Sequence, residues 1–76
     1  MKCLYWASGH SKGLIIDVRP DVYTGNELIN IAQGVWATID CPAERVQDAL
    51  KGRMAVADGA LVMLPEVDWP ENQEVV

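Results

Sequence analysis

The segment Gly9-His10-Ser11-Lys12-Gly13 has the G-x-S-x-G spacing in which a strained turn from strand to helix exposes a nucleophilic serine. That chemistry needs a histidine base brought in from elsewhere in the chain and an acid to orient it. His10 is the only histidine, it lies inside the segment itself, and the apolar run that follows reads as a strand. The segment is therefore expected to be a hairpin loop with His10 in solvent. It also lacks the G-K-[ST] ending of a phosphate-binding loop.

The remaining reactive groups are few. Cys3 and Cys41 cannot form a C-x-x-C metal site, and without an export signal two cysteines are expected to stay reduced. Cys41 stands near a predicted helix start, which lowers a thiol's pKa, but with no histidine partner simple packing beside Pro42 is the expected role. Asp17 with Asp21, and Asp40 with Glu44, are the carboxylate pairs closest in sequence, and each has a turn or helix-cap role available. No catalytic residue, cofactor or metal is expected, and the chain reads as a non-enzyme.

The elements that would position these groups are short. Cys3–Ala7 reads as a strand ending in the loop, and Gly13–Val18 as its hairpin partner, with Leu14, Ile16 and Val18 on one face and Ile15, Asp17 and Arg19 on the other. Thr24-Gly25-Asn26-Glu27 has capping-box spacing, so a helix is predicted near 25–33 with Leu28, Ile31, Ala32 and Val35 along its apolar stripe and Gly34 as its stop. The β-branched run Ile29–Ala32 offers strand as the competing reading. Val35–Ile39 reads as a third strand carrying Trp36 into the core. A second helix is predicted over 42–51, with Asp40 as its cap, Pro42 in its first turn, Gly52 as its stop, and Ala43, Val46, Ala49 and Leu50 as its buried stripe. Met54–Ala57 and Ala60–Leu64 flank Asp58-Gly59, a strong signal for a two-residue hairpin turn.

The fold class that follows is α+β: a small antiparallel sheet of about four to five strands with two short helices, occupying residues 1–65, then an acidic C-terminal tail over 66–76. A chain of 76 residues holds one domain and buries only about 60% of the surface its unfolded form exposes. Three tryptophans help to build a core at that size.

Charge is unevenly placed. Residues 1–53 balance, whereas Asp58, Glu66, Asp68, Glu71 and Glu74 follow with no basic residue, so the whole net charge of −5 falls in the last third. Direct nucleic-acid binding, which needs clustered Lys and Arg, is disfavoured. No apolar run approaches the roughly 18 residues of a membrane span, and the chain is expected to be cytosolic. A protein partner, with a basic surface favoured, is the expectation. The partner-binding candidates are Trp69 as an exposed anchor among Glu66, Asp68 and Glu71, together with Tyr5 and Trp6 on the first strand. A homodimer that covers open sheet edges is a further expectation.

Several segments in order carry a family likeness: Tyr5-Trp6-Ala7-Ser8 before a glycine turn, Trp36-Ala37-Thr38-Ile39-Asp40, Ala49-Leu50-Lys51-Gly52, and Met54-Ala55-Val56-Ala57-Asp58-Gly59. Over residues 4–64 the chain resembles the short domain of bacteriophage tail fibre assembly proteins. It departs from that pattern at Leu14-Ile15, where an aromatic residue is usual, and at Ala60-Leu61, where a proline is common. The resemblance implies a phage or prophage accessory protein that binds another virion or host protein. The alternative expectation is a small acidic inhibitor whose C-terminal surface docks on a basic site of a host defence or nucleic-acid-handling protein.

Overall fold

A computed structural model describes residues 1–72. Strand β1 (Lys2–Trp6) pairs antiparallel with β2 (Ile15–Arg19) on one side and with β3 (Trp36–Asp40) on the other, giving the order β2-β1-β3. Helix α1 (Gly25–Ala32) connects β2 to β3. A 3-10 turn (Ala43–Arg45) leads into helix α2 (Val46–Leu50), and β4 (Met54–Ala57) and β5 (Ala60–Met63) form a second antiparallel pair. The α+β class is as expected. The sheet, however, is divided into three strands and two, with the Leu14–Ala55 bridge and a hydrogen bond from the Val56 N–H to the Gly13 carbonyl (2.8 Å) joining the parts.

Strand register sorts the side chains into two layers. Cys3 lies opposite Val18 and Ile39, and Tyr5 opposite Ile15 and Ala37, so these share one face. That face builds the main core with Cys41, Ala49 and Met54, against which Val46 and Leu61 pack. Leu4, opposite Asp17 and Thr38, belongs to the other face, the side of α1, and is fully buried there. The register of β1 against β2 shifts between Leu4 and Tyr5, which leaves Ile16 without a cross-strand partner. The expected grouping of Leu14, Ile16 and Val18 on one face fails for that reason: the bulge places Ile15 with Val18 on the core side, and Leu14 remains 49% exposed.

Both helices stop where glycine was expected to stop them. After α1 the Val35 N–H donates to the Asn30 carbonyl (3.0 Å), and after α2 the Arg53 N–H donates to the Asp48 carbonyl (3.0 Å). In each case the glycine between, Gly34 or Gly52, takes φ of 76°, which is the geometry of a Schellman stop. The start of α2 differs from expectation. Asp40 does not cap it; its carboxylate pairs with Lys2 (2.6 Å), and the chain enters through the 3-10 turn after Pro42 with no side-chain cap. A five-residue helix then offers the core only Val46 and Ala49, while Ala43 is exposed and Leu50, at the margin of that face, is 54% exposed.

The hairpin turn is as expected, with Asp58 at φ 52° and Gly59 at φ 76°, the left-handed pair of a type I′ turn. Residues 66–72 do not extend away as a tail. They form two 3-10 turns (Glu66–Asp68 and Pro70–Asn72) folded back so that Pro70 meets Gly52. Glu74 and the rest of the expected tail, 73–76, lie outside the described residues.

Gly13 is the tightest point in the join. Its φ is 92°, and a Cβ there would stand 2.5 Å from the Val56 carbonyl oxygen, in the backbone of the neighbouring hairpin. Both the left-handed conformation and the close approach exclude a side chain. Gly13→Ala is expected to lower stability by about 2–4 kcal/mol, read as a shift in the urea midpoint with an unchanged slope. An unshifted midpoint would show that the two sheets do not meet at this glycine.

Candidate functional site

His10 is exposed in the β1–β2 loop. The Ser11 carbonyl accepts from the Leu14 N–H (2.9 Å), and the Lys12 N–H donates to the Gly9 carbonyl (3.2 Å). The loop therefore closes as turns into a bridge and a strand, without the helix a nucleophile elbow requires. Asp17 accepts from the Val18 N–H (2.8 Å) and pairs with Arg19 (3.1 Å). Among the described residues no group of three or more His, Cys, Asp or Glu is placed to hold a metal ion, and no helix is long and apolar enough to cross a membrane.

Cys3 and Cys41 are neighbours. Lys2 pairs with Asp40, and the Cys41 N–H donates to the Met1 carbonyl (3.0 Å), which extends the β1–β3 ladder by one residue. The two cysteines thus lie diagonally across the ladder on the core face. Both are free and buried. Burial first, and the hydrogen bond with Cys41 second, push the Cys3 thiol up to about 12, so the nucleophilic thiolate is suppressed at neutral pH.

The residues expected to bind a partner fall into three places. Trp69, Glu66, Asp68 and Glu71 share the folded-back C-terminal corner, but Trp69 is not an exposed anchor. Its ring lies under the Arg53 guanidinium (4.5 Å to the ring centroid), and its indole N–H donates to the Leu64 carbonyl (2.8 Å). The guanidinium also pairs with Asp48 (3.3 Å) and with Glu71. The hydrogen bond from Arg53 holds the Glu71 carboxyl below its ordinary range. An aromatic face with a cation on it gains attraction that solvent exposure would weaken, which is why this tryptophan turns inward. Glu66 and Asp68 remain exposed.

Tyr5 and Trp6, adjacent in β1, point to opposite faces of the sheet. Trp6 packs edge-to-face on Trp36 with centroids 5.8 Å apart, and Trp36, expected in the core, is half-buried. Tyr5 lines an open cleft of about 400 Å³ between the β1–β2 loop and the β4–β5 turn, together with Lys12, Gly13 and Val56–Gly59. Lys12 and Asp58 give its walls one charge of each sign. The polar side chains on its walls are those of Tyr5, Lys12 and Asp58.

Two surfaces were not found by sequence reasoning. The first is the outer edge of β5. The Leu64 N–H donates to the Arg53 carbonyl (2.8 Å), and in an antiparallel pair alternate N–H groups point inward. Ala60 and Val62 therefore face β4, while the N–H groups of Leu61 and Met63 point outward. Strands β2 and β3 carry charges at Asp17, Arg19 and Asp40, whereas Ala60–Leu64 carries none. The second is the outer face of α1, where Leu28 and Ile29 are 53% and 54% exposed. The sequence signalled an uncharged apolar run in both places without saying which side of it would meet water.

Native protein is expected to react with a thiol reagent at neutral pH at least about a hundredfold more slowly than protein in denaturant, in which both cysteines are modified. Rapid labelling of either thiol in native buffer, followed by mass spectrometry, would contradict the burial described above. Comparison with known proteins finds no matching family model, no matching curated protein and no matching solved structure.

Proposed function

We propose that this chain acts without catalysis, by binding an extended segment of another protein along the free edge of β5. In this reading it is a phage or prophage accessory protein working in the host cytoplasm, as the resemblance to tail fibre assembly domains implies. The observation that supports it is the outer edge of β5, which no strand among the described residues covers. Soluble proteins blunt exposed strands with charge, proline or a covering element, and β5 presents outward-facing N–H groups beside the uncharged run Ala60–Leu64. A strand added there gains main-chain hydrogen bonds, and side-chain contacts such as that of Val62 supply selectivity. Asp58 and Glu66 stand at the two ends of the run, so a partner segment with Lys or Arg flanking an apolar centre is favoured.

The alternative, an acidic inhibitor of a host defence or nucleic-acid-handling protein, is favoured by the exposed carboxylates of Glu66 and Asp68. It is weakened by the pairing of Glu71 with Arg53, which offsets one of the negative charges it would use.

The two readings separate in an affinity capture from host lysate, with and without phage infection. Val62→Lys puts a charge on the free edge at a residue that is 38% exposed, and it is expected to weaken capture of a virion protein at least about tenfold. Neutralising both Glu66 and Asp68 should change that capture by less than about fivefold. A host protein released by salt, and lost with the neutralised acids but not with Val62→Lys, would support the inhibitor instead.

A further inference from the structure

The two thiols of the chain meet in the main core. Cys3 stands in the middle strand opposite Ile39, and two residues beyond Ile39 the Cys41 N–H continues the ladder by its bond to the Met1 carbonyl. Positions two apart on a strand share a face, and diagonal neighbours on one face are within reach of each other. The contact is direct. The Cys3 thiol is hydrogen-bonded with Cys41, and the Cys41 thiol donates to the Pro42 carbonyl (3.7 Å). Both belong to the same core cluster as Val18, Ala49 and Met54, with Cys3 fully buried and Cys41 5% exposed.

We propose that Cys3 and Cys41 are a reversible disulfide-forming pair, reduced in a reducing compartment and joined when the protein meets a low-molecular-weight disulfide such as glutathione disulfide. Access decides which thiol reacts first. Cys41 ends the ladder and is held there by a backbone bond to Met1, a residue 54% exposed, whereas Cys3 lies in the central strand with a neighbour on each side. Element ends open more readily than centres. In the open form the Cys41 thiol gives its proton to water, and its thiolate attacks glutathione disulfide. The S–S bond of the reagent breaks, a mixed disulfide forms on Cys41, and one glutathione thiolate leaves. As the strand end returns, Cys3 loses its proton to water and its sulfur attacks the Cys41 sulfur, releasing the second glutathione thiolate. Burial holds the Cys3 thiol protonated, which makes this the slow step. The two released protons restore both glutathione thiols, so two protein S–H bonds and one glutathione S–S bond are exchanged for one protein S–S bond. The new bond closes a loop of about 40 residues and restricts the unfolded chain. The loop contains β2, α1 and β3. The pair lies in the core, and the inference does not depend on the function proposed for the β5 edge.

The test compares the intact chain after prolonged incubation with glutathione disulfide with the same chain kept in dithiothreitol, by intact mass and thermal melting. The expected product is a monomer lighter by two hydrogens, melting about 10 °C or more above the reduced form, and dithiothreitol should return both values. This comparison needs no substitution. In the native state Cys3→Ala is expected to retain glutathione on Cys41, and Cys41→Ala to take up at least about tenfold less, because Cys3 lies deeper. A parent that remains a dithiol after the incubation overturns the inference. So does oxidation that stops at mixed disulfides, that links separate chains, or that lowers the melting temperature.

Discussion

The polar knot between Arg19, Glu27 and Thr24 sets the geometry on one side of the sheet. Within it the Glu27 carboxylate accepts from the Thr24 N–H and from the Arg19 guanidinium, which itself reaches back to Asp17. The knot ties the end of β2 to the start of α1 and satisfies a backbone donor that a helix start otherwise leaves open. Its bond from Thr24, then its contact with Arg19, hold the Glu27 carboxyl below its ordinary range. A carboxylate placed this way contributes stability above its unfolded pKa and loses it as pH falls through the folded value. The same anchoring explains how a short helix with no buried residue keeps one orientation over Leu4.

On the opposite face the constraint is apolar. Cys3, Val18, Cys41, Ala49 and Met54 form a small core, and the β4–β5 hairpin reaches the first sheet where Gly13 passes the Val56 carbonyl. Arg53 then gathers the C-terminal turn over that hairpin. Its guanidinium serves Asp48, Glu71 and the Trp69 ring together, so Trp69 and Glu71 have partners within the fold, while Glu66 and Asp68 stay exposed. Beside these carboxylates the exposed surface includes two uncharged stretches, the β5 strand and the outer side of α1.

The reactive residues show the same division between local pattern and packing. The G-x-S-x-G spacing at Gly9–Gly13 has a structural cause: Gly13 is required by the approach to Val56, and Ser11 lies in the turn leading there. The cysteines, far apart in sequence, become neighbours because β3 pairs with β1, a pairing that no local signal at Cys3 or Cys41 announces. Both are buried core residues, and burial suppresses the acidity of Cys3.

Much of the local structure was legible in the sequence. The capping box at Thr24–Glu27, the glycine stops at Gly34 and Gly52, and the Asp58-Gly59 turn each depend on backbone conformations and hydrogen bonds within a few residues, so residue type settles them. Tertiary structure decided what depends on distant partners. The bulge beside Ile16 changed which side chains of β2 face the core. Arg19 turned the polar side of α1 inward, and Arg53 drew the Trp69 ring inward and paired with Glu71 at the surface. An apolar stripe states that something must cover it, but the partner across space determines which stripe is covered by the chain itself and which is left for another molecule.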